Sequence, residues 1–235
     1  FALNTVEVGG EAYRNYTAMP ASMGEYFQLM RRHGDKEFAV YQDDRLTYAQ
    51  AWSQAAALAT ALRNDYGIVP GDRVAILSRN NPQWMISFVA VLSVGGIAVP
   101  MNAWWTTEEL DYGLCDSGSG LVIADSSRIE RLAPLMDSLE LSLIGIDDCS
   151  GLDVAVTPFA ALLARHEGAA MPDVPVAADD YATIMYTSGS TGHPKGALSS
   201  HRGILSALYS WMLLGLATKK AGPPRESTGF PPAGL

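Results

Sequence analysis

The sequence predicts an α/β protein built on parallel sheets covered by helices. Two observations predict it. Short, uninterrupted apolar runs alternate with capped helical patterns between residues 47 and 146. The runs carry no polar alternation, as strands buried on both faces should. Thr47-Tyr48-Ala49-Gln50 is a capping box that opens a helix to about Asn64, with Trp52, Ala55, Ala59 and Leu62 at helical spacing. Tyr66-Gly67 ends it, and Val74-Ala75-Ile76-Leu77 reads as a buried strand. Asn81-Pro82 is an N-cap followed by proline at the first helical position. That helix ends at Gly95-Gly96, before the strand Ile97-Ala98-Val99-Pro100. Thr106-Thr107-Glu108-Glu109 starts a second capped helix that stops near Gly118. Leu121-Val122-Ile123-Ala124 is again a strand, Ser127-Arg128-Ile129-Glu130 opens a helix, and Leu141-Ser142-Leu143-Ile144 is the next strand.

Thr157-Pro158 starts a short helix to about His166, and Met171 to Ala178 is a Pro/Ala-rich connector. The expected organisation is a first α/β subdomain over residues 1–170 and the connector at 171–178. A glycine-rich hairpin and the helix after it fill 179–217, and a Pro/Gly-rich loop fills 218–235. The helix is expected from about Arg202 to Leu214, with Ile204, Leu205, Leu208 and Met212 inward.

The chain has 235 residues, 48% of them hydrophobic, enough for a sizeable core. A net charge of −9 and a pI near 4.8 argue against a general nucleic-acid or anionic-membrane surface. Two cysteines without a C-x-x-C pattern make a reducing compartment the default, and the reading is cytoplasmic. The four histidines are scattered without metal-ligand spacing. The N-terminal residues lack a signal-peptide pattern. The longest apolar run, Trp84 to Pro100, is shorter than the roughly 20 residues a membrane span needs and is broken by Ser87, Ser93, Gly95 and Gly96.

The most specific signal is Tyr186-Thr187-Ser188-Gly189-Ser190-Thr191-Gly192-His193-Pro194-Lys195-Gly196. Its glycines allow close backbone approach, its hydroxyls and N–H groups suit anionic oxygens, and Lys195 adds a cation. Together they suit a polyphosphate. A Walker loop would need glycine where Pro194 stands and a hydroxyl where Gly196 stands. No serine here sits in a G-x-S-x-G hydrolase elbow. A flexible Gly/Ser linker would not end in Pro-Lys-Gly between two apolar runs.

This loop closely resembles the phosphate-loop signature of AMP-forming acyl-CoA synthetases, the superfamily that includes luciferases and peptide-synthetase adenylation domains. Leu46-Thr47-Tyr48, Pro70-Gly71-Asp72-Arg73-Val74-Ala75, Asn81-Pro82 and Gly95-Gly96-Ile97-Ala98-Val99-Pro100 are similar to the family's first helices and strands. Asn102-Ala103-Trp104-Trp105-Thr106 with Glu109-Leu110 looks like the fatty-acyl or aryl-CoA ligase branch. Asp179-Asp180-Tyr181-Ala182 and Ser200-His201 also fit, so the match covers about residues 40–215. Ser190 stands where the family usually has threonine, which keeps the hydroxyl.

The resemblance implies the first half of the large N-terminal domain of an adenylate-forming enzyme. It implies ATP-dependent activation of a carboxylic, fatty, acid to acyl-AMP, then thioester formation with CoA. Thr187, Ser188, Gly189, Ser190, Thr191, Gly192 and Lys195 would hold the ATP phosphates, with Thr187 nearest Mg2+. The later motifs and the C-terminal lysine of the family are not in these residues, so no catalytic set is complete here and the isolated chain is expected to be inactive. The alternatives are an adenylating enzyme that loads a carrier protein and a non-catalytic nucleotide-binding piece. His201 borders the acyl pocket or makes a structural hydrogen bond. Trp104 and Trp105 read as core, with a substrate tunnel as the alternative. Asp179-Asp180 reads as a solvated turn, and Cys115 as a buried helix residue. The expected partner is a small-molecule acid, with no nucleic acid; oligomeric state is not readable.

Overall fold

The computed structural model describes residues 2–187 and 193–221, the last two by backbone only. The chain separates into two compact units. The larger holds residues 20–202 and is built on a seven-stranded sheet in the order β11-β10-β6-β5-β7-β8-β9. Its strands are β5 (Arg73–Leu77), β6 (Ile97–Pro100), β7 (Leu121–Ala124), β8 (Ser142–Gly145), β9 (Thr157–Pro158), β10 (Tyr181–Thr187) and β11 (Lys195–Ser200). All neighbours pair in parallel except β10 and β11, which form an antiparallel hairpin. A separate hairpin, β3 (Glu37–Tyr41) and β4 (Asp44–Thr47), precedes the sheet.

Helices cover both faces, as the continuous burial of Val74 through Leu77 requires. On one face Ala75, Leu77, Val99, Val122 and Ala124 pack with residues of α4 (Thr107–Ser117) and α5 (Ser126–Leu132). The other face is covered by α2 (Tyr48–Asn64) and α3 (Pro82–Ser93), which pack on each other, with α1 (Met23–Phe27) against α3. The short α6 (Met136–Leu139) and α7 (Phe159–Arg165) complete the layers. Both expected capping boxes form: Thr47 with Gln50, and Thr106 with Glu109. Gly118 ends α4 in the left-handed region, φ 63°, where a side chain would be strained. The Arg73 guanidinium then donates to the carbonyls of Ser117 and Gly118 and ties that helix end to β5.

The smaller unit joins the hairpin of β1 (Leu3–Val8) and β2 (Glu11–Tyr16) to residues 203–221 of α8 (His201–Ala221). Tyr16 packs on Tyr209 and hydrogen-bonds Ser210, while Tyr209 donates to the Ala18 carbonyl.

Several sequence expectations need correction. The last helix does not end near Leu214 but runs to Ala221, so residues 218–221 are helical and not loop. Leu-Leu-Gly-Leu-Ala-Thr-Lys-Lys-Ala contains mostly good helix formers, and one glycine does not outweigh them. Leu205 is buried as expected, but Met212 is half-exposed. Cys115 is exposed, because the buried stripe of α4 is Leu110, Gly113, Leu114 and Ser117. Thr157-Pro158 is a short strand, and the helix begins only at Phe159. The Pro/Ala connector does not divide the sheet, since β10 beyond it pairs with β6 before it. Among the described residues no helix is long and apolar enough to cross a membrane.

Candidate functional site

Strand direction fixes where the two residues that flank the glycine-rich segment lie. β10 is parallel to β6, with Thr183 opposite Ala98. Thr187 therefore leaves the sheet at the edge where Pro100, Leu77 and Ala124 also end. This is the carboxyl edge, where open α/β sheets bind their ligands. β11 returns antiparallel, and its first residue, Lys195, lies opposite Thr187. Both are exposed. A hydroxyl and an ammonium thus flank the ends of one loop on directly paired residues, about 5 Å apart at their Cβ atoms. Ser188, Gly189, Ser190, Thr191 and Gly192 lie outside the described residues.

Helix α4 anchors the loop end of the hairpin. The Tyr186 hydroxyl donates to the Asp116 carboxylate at 2.6 Å, with the Gly113 carbonyl at 3.2 Å. Burial, then the Asp116 carboxylate, pushes the phenol far above its ordinary range, so it acts as a donor and not as a base. Trp105 meets Tyr186 edge-on at 5.4 Å, and Tyr112 stacks on His193 at 4.6 Å. Gly113 is required beneath this contact, because a Cβ there would come 2.6 Å from the Trp105 ring.

Beside the hairpin, the turns after β5 and β6 line a cleft of about 590 Å³ with Ser78, Arg79, Asn80 and Asn102. Trp104 stands over it, 68% exposed, with the guanidinium carbons of Arg79 and Arg128 at 5.1 and 5.7 Å from its ring. Asp125, just past β7, organises this edge. Its carboxylate accepts from the Arg79 and Arg128 backbone N–H groups and pairs with the Arg128 guanidinium at 3.2 Å. Arg128 and Arg131 both donate to the Ala103 carbonyl. The tandem tryptophans therefore part company: Trp105 is core and Trp104 is surface.

His201 is not brought together with the loop. Ser200 pairs with Tyr181, so α8 starts at the opposite edge of the sheet, roughly 20 Å from Lys195 at strand rise. The ring is fully buried, and Nδ1 accepts the Met23 N–H at 3.1 Å. The neutral ring must therefore carry its proton on Nε2, which meets no partner among the described residues. Burial lowers its pKa below the ordinary 6.5, against a smaller opposing effect of Asp180. The stability it contributes is complete above about pH 6.5 and is lost as pH falls toward the depressed folded value. Urea midpoints should thus fall between pH 7 and pH 5, and His201→Gln should flatten part of that slope. An unchanged slope in the variant would sink the assignment.

The paired aspartates form a turn, as expected. Asp179 binds Arg202 through both oxygens, at 2.6 and 2.9 Å, which holds its carboxyl below the usual range. Asp180 accepts the Ala177 N–H. The Cys149 thiol is pushed up to about 11 by burial and Asp147, which makes it a poor nucleophile. Among the described residues no cluster of three His, Cys, Asp or Glu side chains could hold a metal ion. Sequence reasoning missed Arg79, Asp125 and Arg128. Their signal was position: Arg79 and Asp125 follow strands within two residues, and Arg128 is one helical turn beyond.

Residues 27–226 match the family model described as AMP-binding enzyme. The chain is 37% identical over 156 residues to a feruloyl-CoA synthase from Amycolatopsis sp, covering 66% of this chain and 28% of that protein. It is 36% identical over 172 residues to the long-chain-fatty-acid–CoA ligase FadD13 of Mycobacterium tuberculosis, covering 72% and 32%. A crystal structure described as a putative long-chain-fatty-acid CoA ligase from Rhodopseudomonas palustris superimposes with a TM-score of 0.72 at 25% identity, covering 85% of this chain and 49% of that one. The chain thus spans about a third of the length of these curated relatives.

Proposed function

The chain belongs to the AMP-binding enzyme family, and from that premise we propose that the full-length protein joins a carboxylic acid to CoA through an acyl-adenylate. The observation that carries the reading is the register that sets Thr187 opposite Lys195 at the carboxyl edge of the sheet. A carboxylate oxygen attacks the α-phosphorus of ATP, the bond to the β-phosphate oxygen breaks, and pyrophosphate leaves. The CoA thiol then attacks the acyl carbon, loses its proton and displaces AMP.

Both negative charge on the α-phosphate and the departing pyrophosphate call for fixed donors. Thr187, Ser188, Ser190 and Thr191 supply hydroxyls, Gly189 and Gly192 allow the backbone to close in, and Lys195 neutralises charge. The oxygen of Thr187 suits a hard cation such as Mg2+, which the triphosphate itself carries for the most part. The Asn102–Leu110 pattern fits a fatty-acyl or an aryl acid, the similarity to FadD13 supports the fatty one and that to the feruloyl-CoA synthase the aromatic one, and the composition favours the cytoplasm.

ATP–pyrophosphate exchange by the full-length protein, with acids from short-chain through long-chain to aromatic, tests the proposal. Exchange should require an acid and be greatest with a fatty one. No acid-dependent exchange with any member of the panel would overturn it. Transfer of the adenylate only to a phosphopantetheine carrier, and not to free CoA, would replace the acceptor.

A further inference from the structure

Three clefts that share walls run in a line from the sheet edge onto helix α3. Tyr41 and Asn80 line both the 590 Å³ cleft at the sheet edge and a second cleft of about 380 Å³. Trp84 and Met85 line both the second and a third of about 340 Å³. The chemistry changes along this line. The first is polar and cationic, with Arg79, Asn80 and Asn102. The second presents Val40, Pro82, Trp84 and Met85, and the third Phe27, Met30, Phe38 and Phe88.

Two further observations point to an occupant. The protein has 25 acidic residues, yet among the described residues no carboxylate lines any of the three clefts. The Arg79 guanidinium stacks on Trp104 and meets no hydrogen-bond acceptor or carboxylate among the described residues. At the far end the walls are rings: Trp84 lies flat on Phe88 at 5.3 Å, and Phe27 meets Phe88 edge-on at 6.5 Å. Met30 and Met85 add side chains that adapt to the shape of an apolar guest.

We propose that this groove binds a monomeric, single-chain amphiphile, with its anionic head at Arg79 and its alkyl tail along α3 to the aromatic end. Asn81 to Val89 spans about 12 Å at helical rise, which suits a tail of medium length. The shared chemistry is an anionic head on an alkyl chain, whether a free acid or phosphate monoester or a lipid leaving a bilayer.

Dodecyl phosphate, titrated below its micelle concentration into the full-length protein, is the probe, read by calorimetry and tryptophan fluorescence. It should bind saturably at one site. Octyl phosphate should bind roughly a hundredfold more weakly, since each buried methylene contributes a near-constant increment. Arg79→Gln should weaken dodecyl phosphate about tenfold, and Met85→Asp should abolish binding while circular dichroism stays unchanged. Should Met85→Asp lose its fold, the chain-length series on the unaltered protein decides the tail. Equal binding of octyl and dodecyl phosphate, affinity untouched by Arg79→Gln, or binding to anionic phospholipid vesicles without uptake of the monomer would each overturn the proposal.

Discussion

Lys195→Ala lowers ATP–pyrophosphate exchange by the full-length protein about a hundredfold, the usual scale for losing one preorganised donor to developing negative charge. The side chain is exposed at the start of β11, so its loss should leave the fold intact and the circular dichroism unchanged. Its backbone pairing with Thr187 persists in the variant, because the register is held by main-chain bonds. The deficit is therefore one of charge. Lys195→Arg keeps the charge in a bulkier, planar form and should retain more activity than alanine does. Undiminished exchange in Lys195→Ala would remove the lysine from the phosphate site.

Asp125→Ala should cost about 3–5 kcal/mol of stability, because it strands a buried guanidinium. Asp125 and Arg128 keep only 11% and 7% of their side-chain surface. The same carboxylate caps α5 and takes the Arg79 N–H, so three interactions go at once. Urea unfolding should show a lower midpoint with an unchanged slope. Asp125→Ala combined with Arg128→Met should recover much of the loss, since no charge is then left unpaired. A double variant no more stable than the single one would show that capping, and not the ion pair, dominates.

The helices and strands between residues 47 and 146 were legible because each obeys a local rule. Thr47 and Thr106 cap through hydroxyls three residues from their partners, and Asn81 caps before a proline. The parallel strands were legible because Val74 to Leu77 and Leu121 to Ala124 are apolar at every position. Weak local signals failed. The strands of the first 46 residues are mostly exposed, and of β1, β2 and β3 only β3 carries an uninterrupted apolar run, Phe38 to Tyr41. The end of α8 has no sharp local mark, since good helix formers continue past Gly215 to Ala221. Cys115 looked buried because a helix pattern read by composition does not say which side faces out.

The residue types at the candidate site were equally local. Hydroxyls, glycines and Lys195 within one short run make a candidate phosphate loop, a pattern that needs no knowledge of the fold. The placement of Thr187 and Lys195 at the carboxyl edge is not local, because it depends on β10 running parallel to β6, a pairing across more than 80 residues. The Arg79, Trp104, Asp125 and Arg128 cluster likewise exists only because three separate strands end at one edge. Capping, periodicity and backbone freedom act over a few residues, so the central helices and strands and the residue types of the loop can be read locally. Which residues share a site follows from strand order and direction, and these are set by burial of the whole sheet.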